Sequence, residues 1–214
     1  LGAAAIKGLI SRTQLSPDII DEVIMGNVLP AGVGQAPARQ ALIYAGLPDS
    51  VESTTINKMC GSGLKAIMLS RQIILSGDSE VMIAGGMENM SLSPHIILKS
   101  RTGIRLGHGK IIDTMINDGL WDVYGQTHMG NCAELCAEKY DFSREKQDQF
   151  AVNSYKKSQK AQSDGIFKSE ICPVIYKDRK GNDIIVDQDE EPNRVDFDKI
   201  SSLRAAFDRD GTIT

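Results

Sequence analysis

The 214-residue sequence predicts an α/β fold: helices layered on a mainly parallel sheet, with an inserted block of helices and a hairpin. Two observations predict it. Up to about residue 90, short β-type runs alternate with helix-type runs, the order that builds parallel sheets through crossovers. Charge changes along the chain as well. Residues 1–100 hold 15 Asp, Glu, Lys and Arg while residues 101–214 hold 37, which places a compositional boundary near residues 90–100. The expected organisation is an α/β part over 1–90, an inserted domain over 91–200, and a return to the α/β part over 201–214.

The first part opens with a helix over about residues 2–13, followed by a strand-like run at 22–28. A second helix at 37–45 ends at Gly46 and Pro48. Next come the β-rich run 51–57, a helix from 62 to 75 closed by Gly77, and the short apolar strand 81–84. The runs 51–57 and 81–84 are expected to pair in parallel. The helix between them carries Leu64, Ile67, Met68, Ile74 and Leu75 on one stripe, with Ala66 and Ile73 beside it, and is expected to be central and mostly buried.

The second part is different in kind. Residues 91–128 show no strong periodicity and many Gly, Ser and Asp, which predicts a long loop with short turns. Amphipathic helices follow at about 129–140 and 143–163, the latter with Ser143 as N-cap, Glu145 in its first turn and Gly165 as its stop. The runs 170–176 and 184–186, joined by Lys180-Gly181-Asn182, predict a β-hairpin.

Composition bounds the function. With 41% hydrophobic and 24% charged residues the chain is ordinary for a globular protein. A net charge of -4 gives no long-range pull towards nucleic acid or an anionic membrane, and any phosphate must be held by local contacts. No apolar run reaches the ~18 residues of a membrane span, and the start LGAAAIKGLI has no secretory pattern. A cytoplasmic or organelle-matrix location is the default, with the cytoplasm as the expectation. The four cysteines, Cys60, Cys132, Cys136 and Cys172, form neither a CxxC pair nor a disulfide framework, so free thiols are expected. Cys132 and Cys136 share a helix face, yet no His completes a site around them. They read as packing residues, and no metal is expected.

The chemistry concentrates in Asn57-Lys58-Met59-Cys60-Gly61-Ser62-Gly63-Leu64. A β-run enters a glycine-bracketed turn and leaves as an apolar helix, so Cys60 stands at the helix amino terminus, where unpaired N–H groups and the macrodipole favour thiolate over thiol. Gly61 and Gly63 permit a sharp turn and close approach of a substrate. On spacing alone, a buried structural Cys is the competing reading.

The runs NKMCGSGLKAI, AGGMENMS, YGQTHMGNCAE, SREKQDQFAVNS and LRAAFDRDGTIT, in this order and at similar spacing, are similar to the thiolase pattern over essentially the whole chain. The resemblance implies the amino-terminal half of a layered thiolase fold whose first strand is missing, and an acetyl-CoA acetyltransferase as the parent activity. It implies that Cys60 accepts the acyl group as a thioester, and that its own N–H contributes to an oxyanion hole. It also implies that Leu120, His128, Met129 and Phe207 line the coenzyme A path, with residues 91–200 covering it. The His128-Met129 pair is more similar to short-chain acetoacetyl-CoA thiolases than to the long-chain degradative group. Arg194, in EEPNRVDFDKI, is the candidate for the nucleotide end, and Lys199 stands where the family has a Ser. His95 and His108 receive no role.

Coenzyme A and acetyl-CoA are implied as substrates, with no covalently bound cofactor, and a homo-oligomer, dimer or tetramer, is implied for the intact enzyme. The family's GHP, CxGGG and NEAF-like motifs do not occur in this sequence. The chain is therefore expected to acetylate slowly at most and not to turn over. Two alternatives stay open, a 3-ketoacyl-CoA thiolase of broader chain length and a non-catalytic acyl-CoA-binding or assembly half-domain.

Overall fold

Strand β1 (Glu22–Gly26) sets the architecture. Its Val23, Ile24 and Met25 are consecutive and all buried, which requires cover on both faces and so a central place in the sheet. The computed structural model describes residues 1–214 and places β1 between β2 (Glu52–Ile56) and β3 (Met82–Gly86), both parallel to it. The expected direct pairing of the 51–57 and 81–84 runs is thus corrected: each pairs with β1 instead. The reason is compositional, since β2 reads ESTTI and its polar side chains suit an edge.

Helices α1 (Gly2–Thr13) and α2 (Pro37–Ala45) pack on each other and cover the face to which Val23, Met25 and Ile83 point. Ile6, Ala38, Ala41, Leu42 and Leu47 complete this core. Helix α2 begins with Pro37 in its first turn and ends at Gly46 with φ 90°, a left-handed C-cap that suits glycine. Thr55 Oγ1 of β2 accepts the Ala38 N–H at 2.9 Å, tying the helix start to the sheet.

Helix α3 (Ser62–Ser76) packs on β1 and β3. Ile24 and Gly26 alternate with Val23 and Met25 and so face it. The expectation of a mostly buried helix is corrected here. Only Ser62, Ala66 and Ser70, one small residue per turn, are buried, while Leu64 is 65% and Leu75 68% exposed, and Ile67 and Met68 are exposed too. Small residues let the helix axis come close to the sheet, and that close approach turns the large side chains outwards.

At the amino ends of the strands Asp21 gathers the sheet. Its Oδ2 accepts the Val81 and Glu80 N–H groups at 2.9 and 2.8 Å, and its carbonyl accepts the Glu52 N–H. The Val81 N–H, and after it the Glu80 N–H, hold the Asp21 carboxyl below its ordinary range.

The chain forms two compact units, Leu1–Leu120 and Trp121–Thr214. Residues 91–128, expected as loop and turns, hold more pairing than that. Strands β4 (His95–Ile97) and β5 (Ile111–Asp113) pair antiparallel, as do β6 (Trp121–Asp122) and β7 (Thr127–His128), and a π-helical turn spans Met115–Leu120. These pairings join runs of two or three residues, too short to leave a period in the sequence.

In the second unit, α4 (Met129–Lys139) and α5 (Arg144–Ser163) match the two expected helices, with Ser143 Oγ accepting the Lys146 N–H as foreseen for an N-cap. The hairpin of β8 (Val174–Lys177) and β9 (Asp183–Val186) is present, its turn closed by Asp178 accepting the Lys180 and Asn182 N–H groups. The short helix α6 (Glu191–Arg194) lies on α5, with Gln159 donating to the Pro192 carbonyl at 2.7 Å. No helix is long and apolar enough to cross a membrane.

Candidate active site

Cys60 lies between β2 and α3, in a turn held by its own side chains. Ser62 Oγ accepts the Lys58 N–H at 2.9 Å and donates to the Met59 carbonyl at 2.6 Å. Asn57 Oδ1 accepts the Met59 N–H, also at 2.9 Å. These bonds keep Met59 at φ 49°, in the left-handed region that a side chain with a Cβ normally avoids. Cys60 follows directly and is exposed. Gly61, the N-cap of α3, offers no side chain to the first turn, so no side chain caps the positive end of the helix beside Cys60.

Glycines decide how close this turn comes to the sheet. A Cβ on Gly26 would lie 2.6 Å from the Ser62 carbonyl carbon, and one on Gly86 3.3 Å from Gly63 Cα. The amino end of α3 therefore rests against the carboxyl ends of β1 and β3, where ligands bind in parallel α/β sheets.

A cavity of about 430 Å³ opens there. Cys60, Met59, Leu29, Met87, Met90 and Leu120 line it, so the thiol faces a flexible apolar wall rich in methionine. The structure thus brings together two of the residues singled out in the sequence, Cys60 and Leu120. Leu120 ends the π-helical turn, and Gly119 beside it packs on the Leu29 side chain.

A second group assembles in the other unit. The His128 and Phe207 rings stack with centroids 5.0 Å apart and 18° between planes. His128 Nδ1 accepts the Gly130 N–H at 2.9 Å and so caps α4, which leaves Nε2 as the protonated nitrogen of the neutral ring. Asn131 Nδ2 donates to the Phe207 carbonyl, and Glu134 accepts the Thr212 and Ile213 N–H groups, fixing the 207–213 segment to α4. Met129 is exposed beside His128. Arg194 is on the surface, its guanidinium paired with Glu190, and Lys199 pairs with Asp196 at 2.7 Å. The Asp196 carboxylate, as hydrogen-bond partner and as charge, raises the Lys199 ammonium above its ordinary value. Cys132 and Cys136 remain free, and no group of His, Cys, Asp or Glu is arranged to hold a metal ion.

The sequence reading passed over Glu88, whose carboxylate accepts the Asn27 Nδ2–H, Val28 N–H and Leu29 N–H at 2.8, 2.8 and 3.1 Å. Its position in AGGMENMS was visible, but a carboxylate that serves distant backbone donors has no local pattern. Met59 and Gly26 were missed for the same reason: their roles depend on φ and on a neighbour far away in the chain.

A model of the thiolase amino-terminal domain matches residues 1–214. This chain belongs to the thiolase family. It is 52% identical over 215 aligned residues to an acetyl-CoA acetyltransferase of Cupriavidus necator, an alignment that covers 100% of this chain and 55% of the relative. It is likewise 52% identical to a probable acetyl-CoA acyltransferase of Staphylococcus aureus strain COL, with the same two coverages. Among solved structures, the crystal structure of Acat5 thiolase from Ascaris suum in complex with coenzyme A superposes with a TM-score of 0.91 at 37% identity, over 100% of this chain and 54% of that one. The chain spans about half the length of the curated relatives it matches. Thiolase-type acyl transfer is therefore the chemistry of its family.

The Phe207 ring occupies the space that a Cβ on Gly130 would need. Gly130→Ala is expected to displace Phe207 from His128 and to destabilise the second unit by about 1–3 kcal/mol, the usual range for overpacking. Urea unfolding followed through near-ultraviolet circular dichroism checks this, and an unchanged transition with unchanged aromatic signal would contradict it.

Proposed function

We propose that the chain supplies the nucleophilic part of an acetyl-CoA C-acetyltransferase, which forms or cleaves acetoacetyl-CoA (2 acetyl-CoA = acetoacetyl-CoA + CoA) through an acetyl-Cys60 intermediate. The Cys60 thiolate attacks the thioester carbonyl of acetyl-CoA, the bond between carbonyl carbon and coenzyme A sulfur breaks, and the coenzyme A thiolate leaves and takes up a proton. The Cys60 N–H and the α3 amino end stabilise the tetrahedral oxyanion on the way. Condensation then requires loss of an α-proton from a second acetyl-CoA and attack of that carbon on acetyl-Cys60, which restores the thiol. No residue of this chain is assigned as the base for that proton. A missing general base costs on the order of 10² to 10⁴ in rate, so acylation without sustained turnover is the expected behaviour.

The observation that carries the reading is the exposed Cys60 on a turn locked by Asn57 and Ser62, facing an apolar cavity at the carboxyl ends of the strands. The family resemblance assigns Leu120, on the cavity wall of the first unit, and His128, Met129 and Phe207 of the second unit to the pantetheine chain, and Arg194 to the nucleotide end. The Ascaris thiolase was solved with coenzyme A, which supports coenzyme A thioesters as the ligand class here. The inserted residues 91–200 are assigned to covering that ligand. None of the four cysteines is in a disulfide, which suits a reducing, cytoplasmic setting.

Incubation of the 214-residue chain with acetyl-CoA should add about 42 Da, one acetyl for one proton, to the peptide containing Cys60. Cys60→Ser should abolish that adduct and Cys172→Ser should leave it in place. An acetyl group that maps elsewhere, or acetoacetyl-CoA cleavage that persists in Cys60→Ser, would overturn the assignment.

A second reading has its own observation, the exposed apolar face of α3 formed by Leu64, Ile67, Met68 and Leu75. A contiguous apolar face of this kind marks an association surface, and a homo-oligomer, dimer or tetramer, is the assembly proposed. Sedimentation at tens of micromolar should show self-association that weakens in Leu64→Ser/Met68→Ser. A monodisperse monomer of the unsubstituted chain at that concentration would sink this reading.

A further inference from the structure

Strand β1 does not end its work at Gly26. Residues Asn27, Val28 and Leu29 continue as a strap across the carboxyl edge of the sheet, and Val28 and Leu29 form part of the wall facing Cys60. On one side the strap follows β2, because the Asn27 N–H donates to the Ile56 carbonyl at 3.0 Å. On the other it meets β3, where Asn27 Nδ2 donates to the Met87 carbonyl at 3.2 Å and the Met87 N–H to the Gly26 carbonyl at 2.9 Å.

One carboxylate collects the strap. Glu88 Oε1 accepts from Asn27 Nδ2 and the Leu29 N–H, and Oε2 from the Val28 N–H. Hydrogen bonds to an ionised acceptor are the stronger kind, and three on one side chain fix a loop far better than one. The orientation of Asn27 shows how strongly Glu88 governs the strap. The amide is 6% exposed and turns both its N–H bonds to the Met87 carbonyl and Glu88, although this leaves its Oδ1 buried without a partner. Flipping the amide would set its oxygen against two acceptors, so the assignment of the two atoms is settled by the partners.

The strap also reaches the nucleophile turn. Asn57 Nδ2 donates to the Val28 carbonyl at 3.4 Å, while Asn57 Oδ1 holds the Met59 N–H that precedes Cys60. Glu88 is thus linked to Cys60 through Val28, Asn57 and Met59, and it lines the same cavity.

We propose that Glu88 is a positioning residue of the Cys60 site: its carboxylate pins the 27–29 strap, and the strap sets both the cavity wall and the turn that keeps Cys60 at the end of α3. The proposal deepens the acyltransfer reading and names a residue that does not itself touch the reacting atoms. In Glu88→Gln the side-chain amide brings N–H bonds against backbone N–H donors, so at least one strap bond is lost, and the turn gains freedom to carry the sulfur away from the helix end.

The test is alkylation of the 214-residue chain with iodoacetamide, reading the Cys60 to Cys136 modification ratio by peptide mass spectrometry. Cys136 is exposed on α4, in the other unit, and serves as the internal reference. In Glu88→Gln that still melts in one transition, the ratio should fall about threefold or more, the scale on which a helix end supports an anion. Glu88→Asp, which keeps both acceptor oxygens, should recover part of the loss. A purely structural role would lower the melting temperature and leave the ratio of the folded protein where it was, so an unchanged or raised ratio overturns the proposal. If Glu88→Gln does not fold, the exposed Asn57→Ala carries the test: the ratio must fall there, and an unchanged ratio overturns the proposal equally. Iodoacetamide needs no coenzyme A. Failure of acetyl transfer would therefore sink the acyltransferase reading and leave the Glu88 result to stand or fall alone.

Discussion

The seating of the α3 amino end on the carboxyl ends of β1 and β3 is the constraint from which the rest of the site follows. Gly26 and Gly86 leave no Cβ between the strands and the Ser62–Gly63 backbone, so helix and sheet meet at main-chain distance. Small buried residues on α3, Ala66 and Ser70, continue the close approach along the helix. Because the helix starts there, the residue two positions before it, Cys60, is forced to the mouth of the sheet. The same closeness requires the strained turn, in which Met59 takes a left-handed φ that Asn57 and Ser62 hold by hydrogen bonds. Local strain of this kind persists where its surroundings over-determine it.

The two ends of β1 are secured by the same device. Asp21 accepts N–H groups from β3's approach at the amino end, and Glu88 accepts those of the 27–29 strap at the carboxyl end. A central strand buried on both faces gains its position from apolar packing, but packing is nondirectional and does not fix where the chain turns off the sheet. Carboxylates do fix it, because their oxygens take several N–H donors at defined angles. The carboxyl end, which faces the cavity, is where such definition bears on chemistry.

Much of this was legible in the sequence, and the parts that were not share a cause. The alternation of elements, the helix limits at Gly46 and Gly77, the Ser143 cap and the 174–186 hairpin are local signals, and local signals read well. The runs around Cys60 and His128 carried the family resemblance, and the family match over residues 1–214 agrees with it. Strand order is not legible in the same way, because adjacency in sequence does not fix adjacency in the sheet, whose order is β2-β1-β3. The consecutive Val23, Ile24 and Met25 against the polar ESTTI run would have put β1 at the centre. The buried face of α3 was misjudged because hydrophobicity alone ranks Leu64 and Met68 above Ser62, Ala66 and Ser70, whereas a helix that approaches glycines in a sheet needs small side chains. Glu88 was invisible because its partners lie some sixty positions away.

Backbone contact at Gly26 seats the amino end of α3 and with it Cys60. Hydrogen exchange measured by mass spectrometry on Gly26→Ala tests this most directly. The added Cβ would sit 2.6 Å from the Ser62 Cβ, so the α3 start must shift while α1 and α2, on the opposite face, need not. Exchange in peptides over residues 62–66 should accelerate by about fivefold or more, as expected for ~1–3 kcal/mol of overpacking at a local contact, with α2 peptides unchanged. A folded Gly26→Ala protein in which residues 62–66 keep their original protection would contradict the account.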